Sequence, residues 1–242
     1  MKVAAIQYRP PKGQPALARA ALAERVADAV AQGARLVVCP EMATSGYVWP
    51  DAESIRPHAE PAQGPTLAAL SEAGRGAWVV CGYPERDGER LYNAALVIDP
   101  SGALVCSYRK ALLYEADKPW ALPGDRHVIV RTAFGRMLPA ICMDLNDDRL
   151  LRSLIQAQPD VLAFCTNWVE EGIDVWPYWR RRRGPWAGVM IAANTWGTDE
   201  GVRFSGRSAI FGPDHAALAS AGPEGDAILV AEVPLKDTGA PA

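Results

Sequence analysis

Apolar residues recur along this chain in two rhythms. The first is the short unbroken run: VAAI at 3–6, LVVC at 36–39, WVVC at 78–81, AALVI at 94–98, VLAFC at 161–165 and VMIAA at 189–193. Runs of four to six residues, apolar on both faces, predict strands buried inside a sheet. The second rhythm is helical. Residues 15–34 place Leu22, Val26, Ala29 and Val30 on one face, with Gly33 as a stop. Residues 148–158 place Leu150, Leu151, Leu154 and Ile155 inward and end before Pro159. Residues 66–75 predict a further helix, and 175–187 are helical in part. Two strands, 91–99 and 103–109, flank the turn signal DPSG and form a hairpin. The full reading gives about ten strands and four helices, with further strands at 2–8, 128–131, 137–143, 207–211 and 227–233. Hairpins among buried runs imply mixed pairing. The expectation is therefore an α/β architecture, sheets with helices on their outer faces. No repeat or composition break divides the chain, so residues 1–242 are expected to form a single domain.

Composition narrows the function classes. With 242 residues and 49% apolar residues, the chain can bury roughly 70–75% of its unfolded surface without disulfide staples. A net charge of −3 argues against a nucleic-acid partner, which would favour a basic domain. No apolar run reaches the ~18 residues of a membrane span, and the opening MKVAAIQYRPPKG turns polar too early for a secretory signal. The five cysteines are an odd number without CxxC spacing, and four sit in apolar runs. Both facts point to a reducing compartment, the cytoplasm. No His, Cys or Asp spacing suits zinc.

Three strand ends carry candidate chemistry. Glu41 follows LVVCP, Lys110 ends CSYR, and Cys142 ends LPAI just before a helical segment. Reactive groups of α/β folds gather where strands run out into loops. A thiol needs a base or a positive neighbour before it attacks. Glu41 could take its proton. Lys110 and the backbone N–H of Met143 could hold the oxyanion of a tetrahedral intermediate. Taken singly, each residue has a blander reading, a solvated Glu or a core Cys.

The words around them go further. PEMATSGY, YRKALLY…PGD, ICMDLND and AANTWG…FSGRSAIFGPD, in that order over residues 3–235, resemble the carbon–nitrogen hydrolase (nitrilase) superfamily. The resemblance implies a four-layer α-β-β-α sandwich of two mixed sheets, without cofactor or metal. It implies Glu41 as general base, Lys110 as stabiliser of the oxyanion, and Cys142 as nucleophile. It also implies a homodimer or larger homo-oligomer, placed here on the surface near residues 148–158 and the Trp-rich segment. Two positions depart from the family pattern. Many members carry a second Glu eight residues after the Lys, where this chain has Lys118; either Glu115 takes that role, with Asp117 close by, or the role is absent. Before AAN the chain reads RRRGPW, so Pro185 and Trp186 replace a Glu–Asn pair. YRKALLYEADKPW and ICMDLND are locally similar to protein N-terminal asparagine amidohydrolases.

The expected activity is hydrolysis of a non-peptide C–N bond through a cysteine thioester. A linear amide ranks first as the small-molecule substrate, then a carbamoyl compound, then a nitrile. A catalytically silent binding protein of the same family is the rival reading, and an acyltransferase using the same thioester a third. Asn167 and Trp168 are expected to line the site, with Met143 and Glu115. Five tryptophans between 168 and 196 suggest further pocket wall. One arginine of 180–183 could clamp a substrate carboxylate, although a solvated helix face explains that run as well. His127 reads as structural, and Asp147 with Asp148 as the start of a helix.

Overall fold

A computed structural model describes residues 1–236. Its first sheet contains β1 (Lys2–Gln7), β2 (Leu36–Val38), β3 (Trp78–Asp87), β4 (Arg90–Ile98), β5 (Leu104–Arg109) and β14 (Ala227–Glu232), in the order β14-β1-β2-β3-β4-β5. The second contains β6 (Val130–Thr132), β7 (Gly135–Ile141), β8 (Val161–Thr166), β9 (Val189–Asn194), β12 (Ala209–Phe211) and β13 (Ala217–Ser220), in the order β13-β12-β9-β8-β7-β6. Within each sheet three strands run parallel, β1-β2-β3 and β7-β8-β9, and antiparallel strands complete the edges.

Alternation along the strands explains the unbroken apolar runs. In β1, Val3 and Ala5 join Met137, Ile141, Val161 and Ile191 between the two sheets. Ala4 and Ile6 face the other way, onto Leu22 and Val26 of α1 (Pro15–Ala31) and Leu70 of α3 (Pro65–Ala73). The second sheet repeats this, with Leu138 and Phe164 packed on Leu150 and Leu154 of α4 (Asp148–Ala157) and Trp179 of α5 (Val175–Arg183). The layers are thus α-β-β-α, as the resemblance implies.

Several expectations are corrected. Fourteen strands are present among the described residues. Three of them, β10 (Trp196–Asp199), β11 (Val202–Ser205) and β13, lie outside the predicted strands. Each has four residues and little apolar pattern; the first two are joined by Glu200 and Gly201, both at positive φ. A one-turn helix, α2 (Ala52–Ile55), was also unforeseen. On α4, Leu150 and Leu154 are buried, but Ile155 is 54% exposed. Residues 180–183 are not a uniformly solvated face either. Arg183 is buried, donates to the carbonyls of Gly188 and Gly212 at 3.1 Å each, and lies over the Trp186 ring. Burial lowers it to about 10. Trp179 and Trp186 are core residues, and Trp186 donates to the Pro159 carbonyl.

Candidate active site

The end of β2 leads straight to the first functional side chain. Past Val38 the chain keeps hugging β3: Cys39 N–H donates to the Val80 carbonyl, Gly82 N–H to Pro40, and Ala43 N–H to Gly82. Gly82 permits that approach, because a Cβ there would stand 2.5 Å from the Cα of Glu41. Lys110 leaves β5 with its backbone held at both polar groups. Its N–H donates to the Asn93 carbonyl, and its own carbonyl accepts from Gly124, each at 2.8 Å. Cys142 follows directly on β7 at φ +41, a left-handed conformation that costs a non-glycine residue free energy of order 1–3 kcal/mol. A buried carboxylate holds this turn. Asp144 accepts from the backbone N–H of Ile141, Ala111 and Leu112 at 2.9 Å each, and from the Tyr108 hydroxyl at 2.7 Å. It thereby ties the Cys142 turn to the segment after Lys110. His127 braces the same corner, sharing hydrogen bonds with Tyr108 and Asp147. Asp147 caps α4 by accepting from Arg149 N–H.

Glu41, Lys110 and Asp117 form a charge cluster without exposure to solvent. Lys110 Nζ donates to Glu41 Oε1 at 2.7 Å and to Asp117 Oδ2 at 2.5 Å. Asn93 Nδ2 donates to the same two carboxylates at 2.7 and 2.9 Å. Glu41 Oε2 accepts the backbone N–H of Asn167 at 2.8 Å, and Asp117 Oδ2 accepts that of Tyr114. Asp117 therefore occupies the position for which Glu115 was considered. Glu115 instead points outward and pairs with Lys118, so it meets neither Lys110 nor the cavity. Spacing could not separate the two; the turn at Tyr114–Asp117, closed by Asp117 N–H on the Tyr114 carbonyl, turns Asp117 inward.

Burial raises Glu41 above the ordinary 4.5, against the opposing pull of Lys110. Burial alone would lower Lys110, but the Asp117 and Glu41 carboxylates outweigh it and hold the ammonium above its ordinary 10.5. The Cys142 thiol is raised by burial and then by Glu41; Lys110, Thr166 and the Asn167 N–H pull the other way without reversing it. Burial and the Glu41 carboxylate thus both favour the neutral thiol over the thiolate.

Cys142 opens into a cavity of about 260 Å³, walled by Met143, Asn167, Trp168, Tyr114 and Tyr178 among others. Three of the four residues expected to contact substrate thus line it, and Glu115 does not. Asn167 is 2% exposed, and its side-chain Oδ1 has no hydrogen-bond partner. Of the tryptophans 168–196, only Trp168 lines this cavity, and no arginine of 180–183 does. A larger cleft of about 390 Å³ lies beyond Asn167, but Cys142 does not border it and Lys12 pairs with Asp199 in its wall. Among the described residues no group of three or more His, Cys, Asp or Glu is placed to hold a metal ion.

A two-sheet sandwich with Glu41, Lys110 and Cys142 at strand ends is the arrangement expected of a carbon–nitrogen hydrolase. The carbon-nitrogen hydrolase family model matches residues 2–241, and the chain belongs to that family. A nitrilase of Pyrococcus abyssi is 30% identical over 97% of this chain and 90% of its own length. A protein N-terminal amidase of Schizosaccharomyces pombe is 27% identical over 74% and 79%. The amidase of Nesterenkonia sp. AN1 superposes with a TM-score of 0.83 at 22% identity, over 97% of this chain and 93% of that one. The chain is accordingly a carbon–nitrogen hydrolase enzyme.

Proposed function

We propose that this enzyme hydrolyses a small primary amide to the acid and ammonia through a thioester on Cys142. The observation that carries the reading is the hydrogen-bonding of Glu41. Its Oε1 is taken by Lys110 and Asn93, while Oε2 accepts a single N–H and keeps a lone pair for a thiol proton. As sulfur attacks the carbonyl carbon, Glu41 takes the thiol proton. The oxyanion is met by the Lys110 ammonium and the Met143 N–H, which lies in a first helical turn with no partner inside it. Glu41 returns the proton to nitrogen, ammonia departs, and the thioester remains. Water then attacks, giving its proton to Glu41, and the thiol is restored. Asp117 and Asn93 touch Lys110 and Glu41 rather than substrate, and act by positioning them.

The pH profile of ammonia release tests this assignment. Glu41 works as the carboxylate and is raised, so kcat/KM should fall on acidification at a pH above the ordinary carboxylate value of 4.5. Lys110 works as the ammonium and is also raised, so no alkaline loss should appear before pH 10. An alkaline limb near 8, or an acid limb below 4, would remove these roles.

Five unbridged cysteines support a reducing, cytoplasmic setting, and no helix among the described residues is long and apolar enough to cross a membrane. We also propose self-association through the outer face of α4, where Ile155 stands exposed. The buried tryptophans add nothing to that face. Sedimentation should give a mass above 26.0 kDa that falls when Ile155→Asp is introduced; a monomer at every concentration would refute it.

A further inference from the structure

We propose that the cavity selects amides whose far end carries a positive charge, and that Glu171 is the group that meets it. The inference rests on the amidase reading above and names its substrate class. Glu171 is the only formally charged residue among those lining the cavity. It is exposed, and it shares the cavity wall with Tyr114 and Cys142. Behind the sulfur, one ammonium faces two carboxylates, which leaves the floor formally negative as well. The basic side chains nearby are turned elsewhere. Arg181 lies over the Tyr178 ring, Arg182 donates to the Leu145 carbonyl, Arg207 pairs with Asp174 and Lys118 with Glu115. No basic side chain lines the cavity among the described residues, whereas an ammonium finds Glu171 and the aromatic side chains of Tyr114 and Trp168. Asn167 Oδ1 adds an unpartnered buried acceptor, which an N–H of the substrate would satisfy and an aliphatic group would leave stranded. A volume of about 260 Å³ is below the usual range for drug-sized ligands and suits a short chain.

The test compares three amides of similar length, 4-aminobutanamide, pentanamide and succinamate, by ammonia release. The expected order of kcat/KM is ammonium over neutral over carboxylate, with a step of about 3- to 10-fold on each side, the scale of a partly exposed charge pair. Glu171→Gln should shrink the ratio of ammonium to neutral substrate toward one. Glu171→Lys should place succinamate above 4-aminobutanamide. Added salt should reduce the ratio in the wild type more than in Glu171→Gln. Pentanamide or succinamate outrunning 4-aminobutanamide in the wild type would overturn the inference while leaving the amidase reading standing. A ratio insensitive to Glu171 would overturn the residue assignment. Absence of ammonia from all three would overturn the amidase reading and this inference with it.

Discussion

Cys142→Ala should lose ammonia release by on the order of 10⁴-fold or more, the scale of deleting one member of a nucleophile–base unit. No other thiol can substitute. Cys39, Cys81 and Cys165 are fully buried, and Cys106 lies beside a different cavity, with its thiol pushed up to about 11 by burial. Cys142→Ser should do little better, because a hydroxyl is harder to deprotonate than a thiol and Glu41 is still a carboxylate. Folding should survive both changes. Cys142 belongs to the buried inter-sheet cluster but also borders the cavity, so losing one sulfur atom should cost no more than about 1–2 kcal/mol. In the wild type, a limiting dose of iodoacetamide should label Cys142 ahead of Cys106, although Cys106 is the more exposed, because only Cys142 has a base beside it. Substantial turnover by Cys142→Ala would end the thioester mechanism. Preferential labelling of Cys106 would deny Glu41 its role as activator.

Lys110→Met should be the other severe variant, and unlike Cys142→Ala it should damage the fold as well. Removing the oxyanion partner costs about 10²–10³-fold in kcat. Lys110 is the cation between two buried carboxylates, at 2.7 Å from one and 2.5 Å from the other, and breaking a buried pair costs about 3–5 kcal/mol. In the variant, Glu41 and Asp117 would share little beyond the Asn93 amide, and one of them would hold a proton. A carboxyl raised in the folded state binds more protons folded than unfolded, so the Tm of Lys110→Met should rise as pH falls from 8 to 5. Adding Asp117→Asn should recover much of the lost stability and none of the activity. Glu41→Gln makes the contrast: it leaves Lys110 paired with Asp117, so its Tm should change less while kcat falls at least about 10²-fold. A Lys110→Met protein as stable as the wild type, with the same pH response, would show that the cluster is not held by charge.

The strand runs and the main helices were legible because burial writes itself locally. A strand covered on both faces must be apolar at every position, as VAAI and VLAFC are. Short elements such as β10, β11 and β13 were not legible, since four residues at an edge bury too little to need a pattern. Ile155 misled for a related reason. Its spacing on α4 matches Leu150 and Leu154, but the helix presents only part of that stripe to the sheet.

The site divides along the same line. By itself, the sequence determined the order of the reactive residues and their attachment to strand ends, because Glu41, Lys110 and Cys142 each follow an apolar run directly. It also placed Asn167 and Trp168 at a strand end; that this strand, β8, is the parallel neighbour of β7 came from the sheet pairing. Tertiary structure alone decided that Asp117 rather than Glu115 meets Lys110, and that Asn93 bridges the two carboxylates. It decided that Asp144 ties the Cys142 turn to the Lys110 segment, and that the arginines after residue 179 turn away from the cavity. These are contacts between groups 24 to 52 residues apart, or between neighbours separated by the sense of a single turn. Coulombic and hydrogen-bonding energies depend on distances of a few ångströms in space, and distance along the chain carries no record of them.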